Sequence, residues 1–280
     1  MHLIHTPSEL QRWAMEQRAA GHRIGCVPTM GCLHAGHLSL VKQAQALADQ
    51  VVLTIFVNPT QFGPNEDFSR YPRTVEHDLE LCRNAGVQAV FLPQTADMYP
   101  DGHGVYVVEE RLGNVLCGAA RPGHFRGVCT IVAKLFNLAL PHVAVFGQKD
   151  YQQVAIIRRM VRDLNFPVEL VVAPIVREAD GLALSSRNRY LSAEERQSAL
   201  GLSHALRFAQ ETLTTGDTDA AALCQRLRVS LTDTHGLRVD YVAAVDGATL
   251  EPATRLQPGV VIALAAFAGK TRLIDNTVLQ

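Results

Sequence analysis

Two histidines three residues apart, His34 and His37, enclose Ala35 and Gly36 just after an apolar run, and a second glycine, Gly31, stands shortly before them. Imidazoles donate hydrogen bonds to phosphate oxygens and to charge developing on them, and glycines let a ligand approach the backbone closely. The run Met30, Gly31, Cys32, Leu33, His34, Ala35, Gly36, His37 is therefore read as an ATP phosphate loop, with His34 and His37 as catalytic candidates. On residue types alone, two plainer readings stand beside it: a surface turn with incidental histidines, and a zinc site made from Cys32, His34 and His37. Zinc requires three or four ligands in suitable geometry, and no second Cys/His cluster of recognisable spacing occurs. No metal ligand is assigned.

Such a loop needs elements that hold it. Thr6 with Glu9 forms a capping box, Pro7 suits a first helical turn and Gly21 supplies a stop, so the chain opens with a helix. A strand is expected at 24–27, then the loop, then a helix over 37–49 and a strand at 51–57, whose nearly continuous apolar run fits burial on both faces. Helices near 74–85, 128–140 and 151–164 alternate with strands at 87–92, 143–146 and 168–173. This rhythm predicts an α/β fold with a Rossmann-type open parallel sheet, in which ligands bind beyond the carboxyl ends of strands and helix starts offer backbone N–H groups. After residue 174 the pattern changes. Ser192 and Glu195 cap a long helix to about 213, Gly216 breaks it, a second helix follows, and strands at 239–245, 260–267 and 272–278 have short connections. Residues 1–175 are thus expected to form the Rossmann-like ATP-binding domain, and 176–280 a smaller α+β C-terminal domain acting as a lid.

A formal charge of −1, with 48% apolar and 19% charged residues, describes an ordinary globular chain. No Lys/Arg-rich run is present, which argues against a nucleic-acid partner. The longest apolar stretch, 131–146, is interrupted by Lys134, Asn137 and Pro141 and is no membrane span. The N-terminal residues do not read as a secretory signal, and six scattered cysteines without a Cys-x-x-Cys pair read as reduced core thiols. A cytoplasmic protein is expected.

His34-Ala35-Gly36-His37 after a strand resembles the nucleotidylyltransferase superfamily, and Val27-Pro28-Thr29-Met30-Gly31 narrows the resemblance to the pantothenate synthetase family. Further segments agree in order: Ile55 to Phe62 (IFVNPTQF), Arg121 to Gly127 (RPGHFRG), Phe146 to Gln153 (FGQKDYQQ), Asp180 to Asn188 (DGLALSSRN) and the tail Leu273-Ile274-Asp275-Asn276. Gln148 stands where that family usually has Glu, and Leu184 where Met is common.

The resemblance implies a ligase that joins pantoate to ATP as pantoyl adenylate, releasing pyrophosphate, and then passes the acyl group to β-alanine with loss of AMP. It implies His37 as proton donor, Lys149 as a mobile charge for the phosphates and Asp150 as acceptor for ribose hydroxyls. ATP contacts then extend over Gly147, Gln148, Lys149, Asp150, Val176, Leu184, Ser185, Ser186 and Arg187, the last three a donor cluster. Asn58, Gln61 and Gln153 are the pantoate-binding amides, with Gln61 shared with β-alanine; neutral amides hold a carboxylate without quenching its nucleophilicity. Arg121, His124 and Arg126 are additional anion contacts. Mg2+ accompanies ATP, held chiefly by phosphate oxygens and water, and a homodimer is implied. The alternative is a related nucleotidylyltransferase acting on a phosphorylated small molecule, which would release a nucleotide-linked product.

Overall fold

The computed structural model describes residues 1–64, 66–214, 216 and 218–280. Contacts divide the chain into two compact units. The first comprises Met1–Asn114, Gly118–Gly147 and Ile156–Pro174, and the second Val115–Cys117, Gln148–Ala155 and Ile175–Gln280. The change of unit after Pro174 lies close to the expected boundary, but Gln148–Ala155, expected with the Rossmann-like part, groups with the C-terminal residues.

Along the chain run β1 (His2–Ile4), α1 (Pro7–Ala19), β2 (Ile24–Thr29), α2 (Ala35–Leu47), β3 (Gln50–Ile55), α3 (Val75–Asn84), β4 (Ala89–Phe91), α4 (Thr95–Met98), α5 (Cys117–Ala120), α6 (His124–Ala139), β5 (Val143–Gly147), α7 (Tyr151–Asp163) and β6 (Glu169–Ala173). Among the described residues the first unit carries one six-stranded sheet, ordered β1-β4-β3-β2-β5-β6 and parallel throughout. The direction of strand progression reverses between β2 and β5, the topological switch point where open α/β sheets place their ligands.

The helix-to-strand rhythm follows from burial. Val27, Val51, Leu53, Val90, Val143 and Val145 are completely buried, packed with Val41 and Ala44 of α2 and Leu79 and Cys82 of α3. Each such aliphatic side chain contributes about 1.5–3 kcal/mol when withdrawn from water. Helix α1 has the expected capping box, Thr6 accepting from Glu9 N while the Glu9 carboxylate accepts from Thr6 N. Helix α6 begins four residues earlier than its apolar periodicity indicates, because Gly123 at φ 82° turns the chain into it.

The second unit contains α8 (Ala193–Thr214), α9 (Ala220–Val229) and an antiparallel sheet of β7 (Arg238–Asp246), β8 (Val260–Ala268) and β9 (Thr271–Val278), ordered β7-β8-β9. Ser192 and Glu195 cap α8 reciprocally. Leu202 and Leu206 of α8 and Leu223 and Leu227 of α9 pack with Ile262 and Leu264 of β8. This is the smaller α+β unit that the change of rhythm predicts.

Candidate active site

The loop after β2 is held from below by one carboxylate. Asp78, on α3 and fully buried, accepts from Cys32 N and Leu33 N at 2.8 Å each and from the Thr74 hydroxyl at 3.0 Å. Cys32 adopts φ 50° and Gly31 φ 83°, so the chain makes two left-handed steps here. A Cβ on Gly31 would stand 2.9 Å from Ile55 Cγ2 and 3.0 Å from Asp78 Oδ2, which makes glycine a requirement of both conformation and space. Thr29 ties the loop to β3, donating to Thr54 O at 2.6 Å and accepting from Gly31 N at 3.1 Å.

His34 is the N-cap of α2. Its Nδ1 accepts from Gly36 N at 3.2 Å, its carbonyl accepts from His37 N and Leu38 N, and His37 Nδ1 accepts in turn from His34 N at 3.3 Å. This corrects the expectation that the helix start presents open amides: those of Gly36, His37 and Leu38 are satisfied by the motif's first histidine, and those of Cys32 and Leu33 by Asp78. A neutral imidazole whose Nδ1 accepts an N–H carries its proton on Nε2. The capping box therefore makes both rings Nε2–H donors, with their centroids 4.1 Å apart and their planes tilted by 32°.

Asn58 and Gln61 lie after β3, in and beside a short 3-10 turn (Pro59–Gln61). Asn58 is buried and fully engaged: Nδ2 donates to Gln61 Oε1 (3.0 Å) and Gly127 O (3.1 Å), while Oδ1 accepts from the Tyr99 and Thr60 hydroxyls at 2.8 and 3.0 Å. The Gln61 amide is thereby oriented with Nε2 toward the Met30 sulfur, 3.1 Å away. Gly127 of α6 is the close approach behind this turn, since a Cβ there would lie 2.4 Å from Thr60 O.

Arg121 and His124, expected as anion contacts, are engaged with groups of the protein itself. Arg121 forms a paired ion bridge to Glu66 (2.5 and 2.6 Å) and donates to His124 Nε2 at 3.0 Å; His124 Nδ1–H donates to Gln61 O at 2.7 Å. Their charge and donors are engaged by the carboxylate and by the main chain of Gln61. Burial pushes the Glu66 carboxyl up, but the Arg121 hydrogen bonds and charge outweigh it and hold it below its usual range. Arg126 stacks over Tyr106 at 3.7 Å, and both line a pocket of about 240 Å3 with Thr60, Phe62, His124 and Gly127.

Within the second unit, Gln148, Lys149 and Asp150 form a single 3-10 turn (Gln148–Asp150) leading into α7. Val176 and Leu184, eight positions apart in the chain, face each other: Leu184 N donates to Val176 O at 2.9 Å, Arg177 bridges Ala183, and Gly181 at φ 95° makes the turn between them. Ser185 caps the short turn Ser186–Tyr190 by accepting from Arg187 N at 3.2 Å. Asn188 pins this segment through Glu178 and Ala183 O. Gln153 is half-buried on α7, whereas its neighbour Gln152 is a structural clamp, accepting from Cys117 N at 3.0 Å and donating to Val115 O at 2.7 Å. Gly147 ends β5 in the first unit, at the switch-point side of the sheet.

A family model for pantoate-beta-alanine ligase matches residues 2–278. The chain belongs to the pantoate-beta-alanine ligase family. It is 53% identical over 280 residues to the pantothenate synthetase of Moorella thermoacetica, covering 100% of this chain and 99% of that one. The crystal structure of pantothenate synthetase from Thermus thermophilus superposes with a TM-score of 0.92 at 46% identity over 99% of each chain. A pantoate-beta-alanine ligase from Francisella tularensis, complexed with beta-gamma ATP and beta-alanine, is 32% identical with a TM-score of 0.80, covering 99% of this chain and 97% of that one.

For a member of the pantoate-beta-alanine ligase family, sequence reasoning passed over Asp78. Its signal was legible: Val75, Asp78, Leu79 and Cys82 share one helical face, so a carboxylate stands at a core position of α3. Tyr99 was also missed, and has no local signature because its partners, Asn58 and Thr60, lie about 40 residues earlier.

Proposed function

We propose that this chain uses ATP to condense pantoate with β-alanine, through a pantoyl adenylate. The observation that carries the reading is the Gln61 amide, oriented by Asn58 and placed against Met30 of the histidine loop. It puts a neutral, donor-bearing amide beside the phosphate loop, which suits an anionic hydroxy acid that must stay nucleophilic.

In the first half-reaction the pantoate carboxylate attacks the α-phosphorus of ATP and pyrophosphate leaves. Two anions must be aligned and their charge offset, which calls for preorganised donors rather than a protein nucleophile. His34 and His37 supply Nε2–H donors to the phosphates, with His37 the proton donor. Lys149 adds a point charge, Ser185, Ser186 and Arg187 a second donor set, and Asp150 an acceptor for the ribose. Met30, Gly31, Cys32, Leu33, Ala35 and Gly36 shape the loop. In the second half-reaction the β-alanine amine attacks the acyl carbon, AMP leaves and the amine loses a proton. Gln61 and Gln153 hold pantoate, Gln61 also meets β-alanine, and Asn58 acts by orienting Gln61 rather than by touching substrate.

Mg2+ enters as part of the nucleotide substrate, bound by phosphate oxygens and water as this hard cation prefers. Among the described residues no cluster of three or more His, Cys, Asp or Glu side chains is arranged to hold an ion. A cytoplasmic homodimer is the assembly we assign, to be checked by sedimentation. Among the described residues no helix is long and apolar enough to cross a membrane.

The deciding experiment supplies ATP and pantoate without amine and follows exchange of labelled pyrophosphate into ATP; adding β-alanine then releases AMP and pantothenate. Absence of exchange would overturn the adenylate order, and a nucleotide-linked product would favour the nucleotidylyltransferase alternative.

A further inference from the structure

β9 carries two adjacent buried polar residues, Asp275 and Asn276, with 2% and 3% of their surface exposed. Buried polar groups are stable only when their hydrogen bonds are satisfied, and the partners here are specific. Asn276 Nδ2 donates to Gln148 O at 3.0 Å and Lys149 O at 2.9 Å, and its Oδ1 accepts from Gln148 Nε2 at 3.3 Å. Asp275 receives two guanidinium N–H groups from Arg177 at 2.6 and 3.0 Å, and its Oδ1 also accepts from Asn276 N at 2.8 Å. Arg177 in turn donates to Gly181 O at 3.1 Å, across the hairpin that pairs Val176 with Leu184.

Neighbouring residues of a strand project to opposite faces, and this pair uses both directions. One side chain grips the main chain of the Gln148–Asp150 turn, and the other grips the base of the 176–184 hairpin that leads into Ser185, Ser186 and Arg187. The two segments are separated by helix α7 and strand β6 in sequence, yet each ends on the same dipeptide of β9. The Gln148 side chain completes the contact, which gives a physical use to a residue that departs from the usual family pattern.

We propose that Asp275 and Asn276 are positioning residues, which set the spacing between the Lys149 turn and the Ser185–Arg187 segment so that both meet the nucleotide phosphates. The proposal rests on the reading of those two segments as ATP-binding. Asn276 acts through the main-chain carbonyls of Gln148 and Lys149, and Asp275 through Arg177. A misplacement of about 1 Å in a group that aligns reactants lowers turnover by up to about a hundredfold, so a rigid support offsets the burial of a carboxylate and an amide.

The test is Asn276→Asp, which keeps the side chain's size but removes both N–H donors and sets an oxygen against two carbonyls. We expect the KM for ATP to rise by about tenfold or more, as expected when buried acceptors lose their donors, with the KM for pantoate changed less than about twofold. A double variant separates positioning from general loosening, because groups acting through one another do not add. In a Lys149→Ala background, Asn276→Asp should cost less than about threefold further. Melting curves establish folding, and if Asn276→Asp is unfolded, Asn276→Ser, which retains one donor, carries the same measurements. A folded variant with unchanged ATP KM, while Lys149→Ala is impaired, overturns the proposal and leaves the ATP-site reading intact. Fully multiplicative losses in the double variant overturn it too. Normal ATP use by Lys149→Ala would overturn the ATP-site reading itself.

Discussion

Asn58 decides which way the Gln61 amide faces: its Nδ2 lies 3.0 Å from Gln61 Oε1, leaving Gln61 Nε2 3.1 Å from the Met30 sulfur. Asn58→Ala should therefore raise the pantoate KM in the manner of Gln61→Ala, by about tenfold for one buried hydrogen bond lost, and the two changes together should not multiply. Because Gln61 also meets β-alanine, both changes should impair the β-alanine step, Asn58→Ala the less because the amide itself is retained. Steady-state kinetics with each substrate varied in turn distinguish these outcomes, and a normal pantoate KM in Asn58→Ala would leave Asn58 as a scaffold residue alone.

His37→Ala removes an Nε2–H donor from the half-exposed first turn of α2. Loss of one preorganised donor to developing charge lowers rate by about 10²–10³. Pyrophosphate release from ATP and pantoate should fall by that amount, while melting curves show a folded protein weakened only by loss of the cap hydrogen bond from His34 N. Wild-type turnover in the purified variant would place His37 outside the chemistry.

Asp78→Asn is predicted to damage the loop without altering any substrate contact. Both carboxylate oxygens accept backbone N–H groups, so an amide must turn one N–H donor toward another. A buried unsatisfied donor costs about 1–3 kcal/mol. Urea denaturation should show that loss and ATP KM should rise; an unchanged denaturation midpoint would mean the loop has another support.

The Glu66–Arg121 pair gives a pH signature. A carboxyl whose native pKa lies below its unfolded value contributes stability in full above the unfolded value, and that contribution is lost as pH falls through the lower native one. For Glu66, held down against its burial by Arg121, the loss begins near the ordinary glutamate range of about 4.3 and continues below it. Arg121→Met should flatten this acid limb of the stability profile, read from thermal melts between pH 6 and the acid transition. A profile parallel to wild type would show that the pair adds nothing to folding.

Elements with strong local patterning were legible in the sequence: the Thr6–Glu9 box, the Ser192–Glu195 cap, the largely apolar runs of β3 and β5, and the histidine motif at the start of α2. What was not legible depends on partners distant in sequence. β1 is three residues long and becomes a strand by pairing with Ala89–Phe91. Nothing near Cys32 reveals that its amide is bound by Asp78, and nothing near Lys149 reveals that its carbonyl is held by Asn276, 127 residues later. Residue types named the chemistry; long-range hydrogen bonds determine which groups are donors to a ligand and which are already committed inside the protein.

β1 also bears on how the protein behaves when crowded. It closes one side of the parallel sheet, and β6 closes the other, with three and five residues respectively. A long flat outer strand is a template on which another chain can add itself, and short outer strands offer few main-chain groups for that purpose. β1 thus offers another chain few main-chain groups to pair with, whereas β6, of ordinary strand length, is the border of this sheet on which a stray strand has more to bind.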